Sequence, residues 1–198
     1  MTHVTEICAI LALAGTFSTA VQAQDAPAAE QPPAAEAPAP DAAAAGAPAV
    51  ALPQSMTSDI ADIDGKPLGK VAVAFTSSGM AIVDLALTDV PPGVHAVHFH
   101  TVGLCEPPFE TAKGHLAGDM DHGVMSENGP HPGDMPNITV PETGALTLSY
   151  FVPGLTPELM MDADGTAFII HAGADDYQTQ PSGDAGDRLA CAVMAAPY

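Results

Sequence analysis

Six of the eight histidines, together with two aspartates and the single arginine, are the residue types from which a metal centre is assembled. His98-Phe99-His100 lies in an apolar run. On a strand, side chains alternate with period two, so both imidazoles share a face and can reach one ion; paired strand histidines are also common as packing residues. His115, His122, His131 and Asp134 follow with the spacing His-x6-His-x8-His-x2-Asp. Three neutral nitrogens and a carboxylate suit tetrahedral zinc. His171 closes the apolar run Phe168-Ile169-Ile170 and is followed by Ala172-Gly173-Ala174-Asp175-Asp176. Asp175 suits the role of accepting from the outer ring nitrogens of metal-bound imidazoles, against the alternative of a solvated loop aspartate. Arg188 is a fixed cation that, beside a metal, makes a small-anion docking site; its alternative is a salt bridge within an acidic domain. The ordered set predicts a metal site.

These residues need a scaffold of strands. Val71-Ala72-Val73-Ala74-Phe75, a Ser77-Ser78-Gly79 break and the apolar stretch 80–87 read as an antiparallel hairpin. Further short apolar runs bounded by Gly, Pro or Asp occur at 94–100, 138–140, 145–152, 167–171 and 189–194. No long stretch has a 3.6-residue period, and nothing provides helical crossovers. The reading is therefore all-β, an antiparallel sandwich or barrel. Two long segments, 101–137 and 172–187, interrupt the strands and are rich in His, Asp and Gly, as functional loops are.

The chain of 198 residues carries 4 Lys plus Arg against 24 Asp plus Glu, a formal net charge of -20. Nucleic acid and anionic lipid surfaces are excluded as partners, because both need clustered cations. Residues 1–23 read as a cleaved signal peptide, with an apolar run at 7–20 and Val21-Gln22-Ala23 before the cleavage point. The run is too short to cross a hydrocarbon core of about 30 Å, so no stable membrane anchor is expected. Cys8 and His3 leave with the leader, and Cys105 and Cys191 remain. Residues 24–53 contain 14 Ala and 7 Pro and read as a semi-rigid extended spacer. The remaining 54–198 form one domain with 4 basic and 19 acidic residues, a balance of -15.

His98-x-His100, Gly103-x-Cys105, Gly114-His115, His122-Gly123, Gly129-Pro130-His131-Pro132-Gly133-Asp134, Pro136-Asn137-Ile138, His171-Ala172-Gly173-Ala174-Asp175-Asp176-Tyr177 and the stretch from Gly183-Asp184 to Arg188-Leu189-Ala190-Cys191 resemble the exported copper/zinc superoxide dismutases of bacteria. The likeness covers about residues 60–195. It implies an eight-stranded antiparallel Greek-key barrel of sandwich architecture with two long functional loops. It implies copper on His98, His100, His115 and His171, and zinc on His115, His122, His131 and Asp134, one ion of each per subunit, with His115 bridging. It further implies that Asp175 links His98 to His122, that Cys105 and Cys191 form a disulfide, and that Arg188 and His115 are the catalytic residues. The implied reaction converts two superoxide anions to oxygen and hydrogen peroxide, with Arg188 docking the anion and His115 carrying a proton. The implied setting is the periplasm, as a monomer or a homodimer. Two departures stand out: Ala96-Val97 follows His95, and Leu116-Ala117-Gly118 follows the bridging histidine, with a gap to His122 one residue shorter than expected. His95 reads as structural, and Met120, Met125 and Met135 as gap-filling or exposed rather than copper-capturing. The rival function is a non-catalytic copper- or zinc-binding module on the same fold, and a purely structural sandwich leaves the histidines unexplained. The substrate is an anion and the domain is acidic, so Arg188, the metals and Lys113 must supply the local attraction; screening beyond roughly 8 Å limits the repulsion.

Overall fold

The chain divides into two units, and the computed structural model describes residues 55–195, all within the second, Pro48–Tyr198. The segments read as signal peptide (1–23) and spacer (24–53) lie outside the described residues. No helix among the described residues is long and apolar enough to cross a membrane.

Nine strand segments carry the fold: β1 Ser55–Asp62, β2 Pro67–Phe75, β3 Met80–Leu87, β4 Gly93–His95, β5 Val97–His100, β6 Ile138–Val140, β7 Leu146–Pro153, β8 Thr166–His171 and β9 Arg188–Ala195. The helical elements among the described residues are a 3-10 turn at Glu110–Ala112 and a single α turn, α1, at Pro157–Met160. Every strand pair is antiparallel. Seven strands run in the order β5-β8-β9-β1-β2-β3-β7, and β4 pairs with β6. The pairs β3 with β7 and β5 with β8 join strands distant in sequence, as the connections of a Greek key do.

The apolar run at 94–100 is one strand by pattern and two in the fold. Ala96 interrupts it because its N–H donates to the Gly173 carbonyl at 2.8 Å and its carbonyl accepts from His171 N–H at 2.9 Å. The strand thereby changes partner, from β6 before the break to β8 after it. Counted as one, β4 and β5 bring the barrel to eight strands. β1 had no sequence signal: Ser55-Met56-Thr57-Ser58-Asp59 is polar, and Ile60 is its one fully buried apolar residue. It is held by ladders to β2 and β9 rather than by its own apolar content.

The core follows the period of the strands. Val71, Val73 and Phe75 of β2 and Ala81, Val83, Leu85 and Leu87 of β3 alternate inward. Val97 and Phe99 of β5 join Phe168 and Ile170 of β8 in the same cluster, with the Phe99 and Phe168 rings edge to face at 5.4 Å. The pleat then forces His98 and His100 to the outer face. That face is also covered. All six residues of β8 are buried, and its outward Ala167 and Ile169 pack with Phe109 and Ala112 of the first long loop and with Cys191. The Cys105–Cys191 disulfide fastens that loop to β9.

Because the bridge spans 86 residues, it restricts the unfolded chain strongly, by about 4.5 kcal/mol in the chain-entropy account. Replacing both cysteines by serine should lower the unfolding free energy of the metal-free protein by about that amount in chemical denaturation; a loss below about 1 kcal/mol would show that packing against Ile169 alone holds the loop.

Candidate metal centre

The first loop is led back along β5 by main-chain hydrogen bonds. Phe99 N–H donates to Gly133 O at 2.9 Å, Leu116 N–H to Phe99 O at 2.8 Å and Thr101 N–H to Gly114 O at 3.0 Å. These set His115 beside His100 and Asp134 beside His98. The approach at Gly133 is close enough that a Cβ there would lie 2.6 Å from the Phe99 carbonyl oxygen. β8 delivers His171 to the same place, and His95, buried behind it, sets both ring nitrogens 2.8 Å from carbonyl oxygens, those of His171 and Pro91.

Each of four buried histidines has one ring nitrogen engaged and the other free. His100 Nδ1 donates to the Lys113 carbonyl at 2.8 Å and His171 Nδ1 to the Gly186 carbonyl at 3.3 Å. A carbonyl oxygen only accepts, so each Nδ1 carries the hydrogen and each Nε2 keeps its lone pair. His98 is reversed: Nε2 meets Asp175 Oδ2 at 2.8 Å and Nδ1 is bare. His115 turns Nδ1 to Asp134 Oδ1 at 2.9 Å. Five buried side-chain polar atoms lack a hydrogen-bond partner among the described residues. Four of them are His98 Nδ1, His100 Nε2, His115 Nε2 and His171 Nε2, and the fifth is the Thr166 hydroxyl. One ligand atom from each of the four histidines lies within 4.8 Å of the others. Buried polar atoms without partners are rare and costly, and four lone pairs converging on one point fit a soft or borderline cation.

The second set is centred on Asp134. Its Oδ2 accepts from the N–H groups of Gly123 (2.8 Å) and His131 (3.0 Å), which turns Oδ1 toward the rings. His115 Nδ1 lies 2.9 Å from it, and His122 Nδ1 and His131 Nδ1 both lie at 3.1 Å. Around zinc with ligand distances of about 2.0 Å, tetrahedral donors sit about 3.3 Å apart, so this cluster has the dimensions of a zinc cage. His98, His115, His122 and Asp134 also fall within 4.8 Å of one another. His98 nevertheless spends Nε2 on Asp175 and leaves Nδ1 bare, whereas His131 contacts Asp134 directly, so His131 is the better fourth donor. Asp175 joins the two sets, its Oδ1 3.0 Å from His122 Nε2. Gly183, at φ +68°, crosses directly over this link; a Cβ there would lie 1.8 Å from Asp175 Oδ1.

Electrostatics divide the rings. Burial, reinforced by neighbouring imidazoles, lowers His171 to about 3 and pushes His100 well below the ordinary value. Burial also lowers His115, to about 4, against the pull of Asp134. For His122 burial acts in the same direction, but Asp134 and Asp175 on either side overcome it and raise the ring to about 9. Burial would raise both carboxyls, yet their histidine partners hold Asp134 and Asp175 well below the usual carboxylate range.

Arg188 donates to the carbonyls of Phe109 and Lys113, with Glu110 3.9 Å from its Nη2. It shares a cavity of about 230 Å³ with His100, His115 and His171. A larger cavity of about 360 Å³ is mainly apolar, walled by Val124, Met135, Phe151 and Tyr177 beside Asp134 and Asp175, and no histidine lines it. Met135 belongs to the barrel core, while Met120 and Met125 are exposed.

With this geometry in hand, residues 68–194 match the sequence family described as "Copper/zinc superoxide dismutase (SODC)". The chain belongs to the copper/zinc superoxide dismutase family. It is 39% identical over 150 residues to a Cu-Zn superoxide dismutase of Caulobacter vibrioides, covering 71% of this chain and 85% of that protein. It is 37% identical over 145 residues to Cu-Zn superoxide dismutase 1 of Aquifex aeolicus, covering 69% and 85%. Among solved structures it is similar to a superoxide dismutase-like protein from Bacillus subtilis, with TM-score 0.66, 30% identity and coverage of 70% and 97%. The fold also matches a Cu/Zn superoxide dismutase from Brucella abortus, with TM-score 0.60 over 71% and 99% of the two chains. The cofactors of the family are copper and zinc.

Sequence reasoning missed the supports of this dismutase site. Asn137 closes a side-chain amide on the main chain of Asp175, donating to its carbonyl at 2.9 Å and accepting from its N–H at 2.8 Å. Tyr177 accepts from Asn137 N–H at 2.9 Å. Both stand in the motifs, but nothing in their spacing says that they hold main chain.

The shifts predict how the metal-free dismutase responds to pH. His115 and His171 titrate lower in the folded state than in the unfolded chain, near 6.5, so the unfolded chain takes up their protons first. Stability is then lost as pH falls from about 6.5 toward 4, by up to about 1.4 kcal/mol per unit for each ring. His122, raised to about 9, stabilises fully below about 6.5 and loses that contribution as pH rises through 9. The melting temperature of metal-free protein should therefore peak near pH 6.5; a monotonic rise from pH 5 to 9 would contradict it.

Proposed function

We propose that the protein is an exported, periplasmic superoxide dismutase that binds copper through His98, His100, His115 and His171 and zinc through His115, His122, His131 and Asp134. The observation that carries this reading is the shared cavity. Arg188 lines one space of about 230 Å³ together with His100, His115 and His171, three of the four rings that each keep one buried nitrogen without a partner. A metal store has no use for a guanidinium at the mouth of its site, whereas an enzyme acting on a small anion does.

When bound, copper supplies the electron relay from one superoxide to the next, and redox-inert zinc supplies charge; two superoxide anions and two protons give one oxygen and one hydrogen peroxide. The protein provides everything else. Arg188 is fixed by two carbonyls and keeps further N–H donors for the anion. Glu110 beside it and the acidic balance of the domain oppose anion entry, so binding depends on this one cation. His115 is the one ring with a nitrogen in each of these donor sets, Nε2 among the four without partners and Nδ1 toward Asp134. It is the group placed to carry a proton at Nε2 to the departing peroxide. Lys113 contributes its main-chain carbonyl, which orients both His100 and Arg188. The disulfide suits an oxidising compartment, and the protein acts as a monomer or a homodimer.

The test is dismutation by the copper- and zinc-loaded protein beside His171→Ala, Arg188→Ala and Lys113→Ala, with metal content measured. His171→Ala should abolish turnover and retain zinc. Arg188→Ala should cost at least about tenfold, the worth of a charged hydrogen bond, and Lys113→Ala less than threefold. Full metal content without dismutation would make the protein a metal-binding module instead.

A further inference from the structure

Gln180 belongs to neither donor set, yet it holds the main chain of His122 at both ends. Its Oε1 accepts from His122 N–H at 2.9 Å, and its Nε2 donates to the His122 carbonyl at 2.9 Å and to Ser126 Oγ at 3.1 Å. Among the described residues, His122 N–H and C=O meet no other main-chain group. The Ser126 hydroxyl is the one further partner of that carbonyl. His115 and Asp134 are pinned to β5 through main-chain bonds of their own neighbours; the neighbours of His122 are held within the first loop, Asp121 N–H on the Asn128 carbonyl and Gly123 N–H on Asp134, but its own N–H and C=O are both gripped by the opposite loop. The arrangement is reciprocal: Asn137 at the end of the first loop grips Asp175 of the second, and Gln180 of the second grips His122 of the first. His122 and Asp175 are themselves hydrogen-bonded, so the two clamps brace the two ends of one link.

We infer that Gln180 is a positioning residue for zinc: its side-chain amide fixes the backbone of His122 and so sets how tightly the zinc cage closes. The inference rests on the reading of His122 as a zinc ligand. It also gives the short stretch 117–121, which follows the Leu116 bond to β5 and has no strand partner of its own, an anchor in the opposite loop. An amide suits the task because it accepts and donates from one rigid plane. Glutamate in its place would keep the acceptor and set a second acceptor against the His122 carbonyl. Fixing a ligand from outside the coordination sphere contributes 10- to 100-fold to metal affinity.

The experiment measures zinc and copper dissociation constants of the full protein by competition against a chromophoric chelator, for wild type, Gln180→Leu, Gln180→Glu, His122→Ala and Asp176→Ala. Asp176 shapes the same loop by accepting from Gln178 and Thr179 N–H but does not touch His122. The expected result is zinc binding weakened about tenfold in Gln180→Leu and further in Gln180→Glu, with copper binding unchanged within twofold and Asp176→Ala near wild type. Zinc binding lost in His122→Ala but unmoved in Gln180→Leu overturns the inference alone. Equal weakening of both metals, or an Asp176→Ala loss matching Gln180→Leu, assigns the effect to general loosening and also overturns it. Zinc binding unmoved in His122→Ala overturns the zinc reading and the inference with it.

Discussion

Burying an imidazole nitrogen with no partner costs about 1–3 kcal/mol, and this fold does so four times at a single point. The expense is tolerated because each ring is fixed by its other nitrogen: His98 by Asp175, His100 by the Lys113 carbonyl, His115 by Asp134 and His171 by the Gly186 carbonyl. Every one of those anchors lies in a loop, whereas three of the four histidines lie on strands or beside them. The architecture therefore has to bring two long loops back onto the outer face of β5 and β8 and keep them there. The disulfide, the Phe109 and Ala112 packing, and the Asn137 and Gln180 amides all serve that end.

The same constraint explains the division of charge. A cluster of neutral rings must resist protonation, which burial and mutual repulsion ensure for His100, His115 and His171. A cluster around a carboxylate behaves in the opposite way, and His122 between Asp134 and Asp175 keeps its proton to about 9. In the metal-free protein that proton occupies the charge that a cation takes over. His115 lies on the boundary between these regimes, and Asp175 couples them mechanically by bonding His98 on one side and His122 on the other.

Much of this was legible in the chain. The hairpin of β2 and β3 was visible as alternating Val, Ile and Leu, and the shared face of His98 and His100 followed from the strand period alone. The spacing of His115, His122, His131 and Asp134 singled out the residues that the first loop gathers. What stayed hidden has physical reasons. β1 is polar and exists because both neighbours pair with it. The break at Ala96 is made by hydrogen bonds to residues more than 70 positions away, at His171 and Gly173. Gln180 and Asn137 act through amides on distant main chain, which no local pattern encodes.

The free nitrogens are aimed before any metal arrives. Anomalous diffraction at the copper and zinc edges, from crystals of the loaded protein, tests this most directly. The expected result is a copper peak bounded by His98 Nδ1 and the Nε2 atoms of His100, His115 and His171. A separate zinc peak is expected, bounded by Asp134 Oδ1 and the Nδ1 atoms of His115, His122 and His131. Loaded rings rotated so that the bonds to Asp175, Lys113 and Gly186 are broken, or both metals in one mixed site, would contradict it.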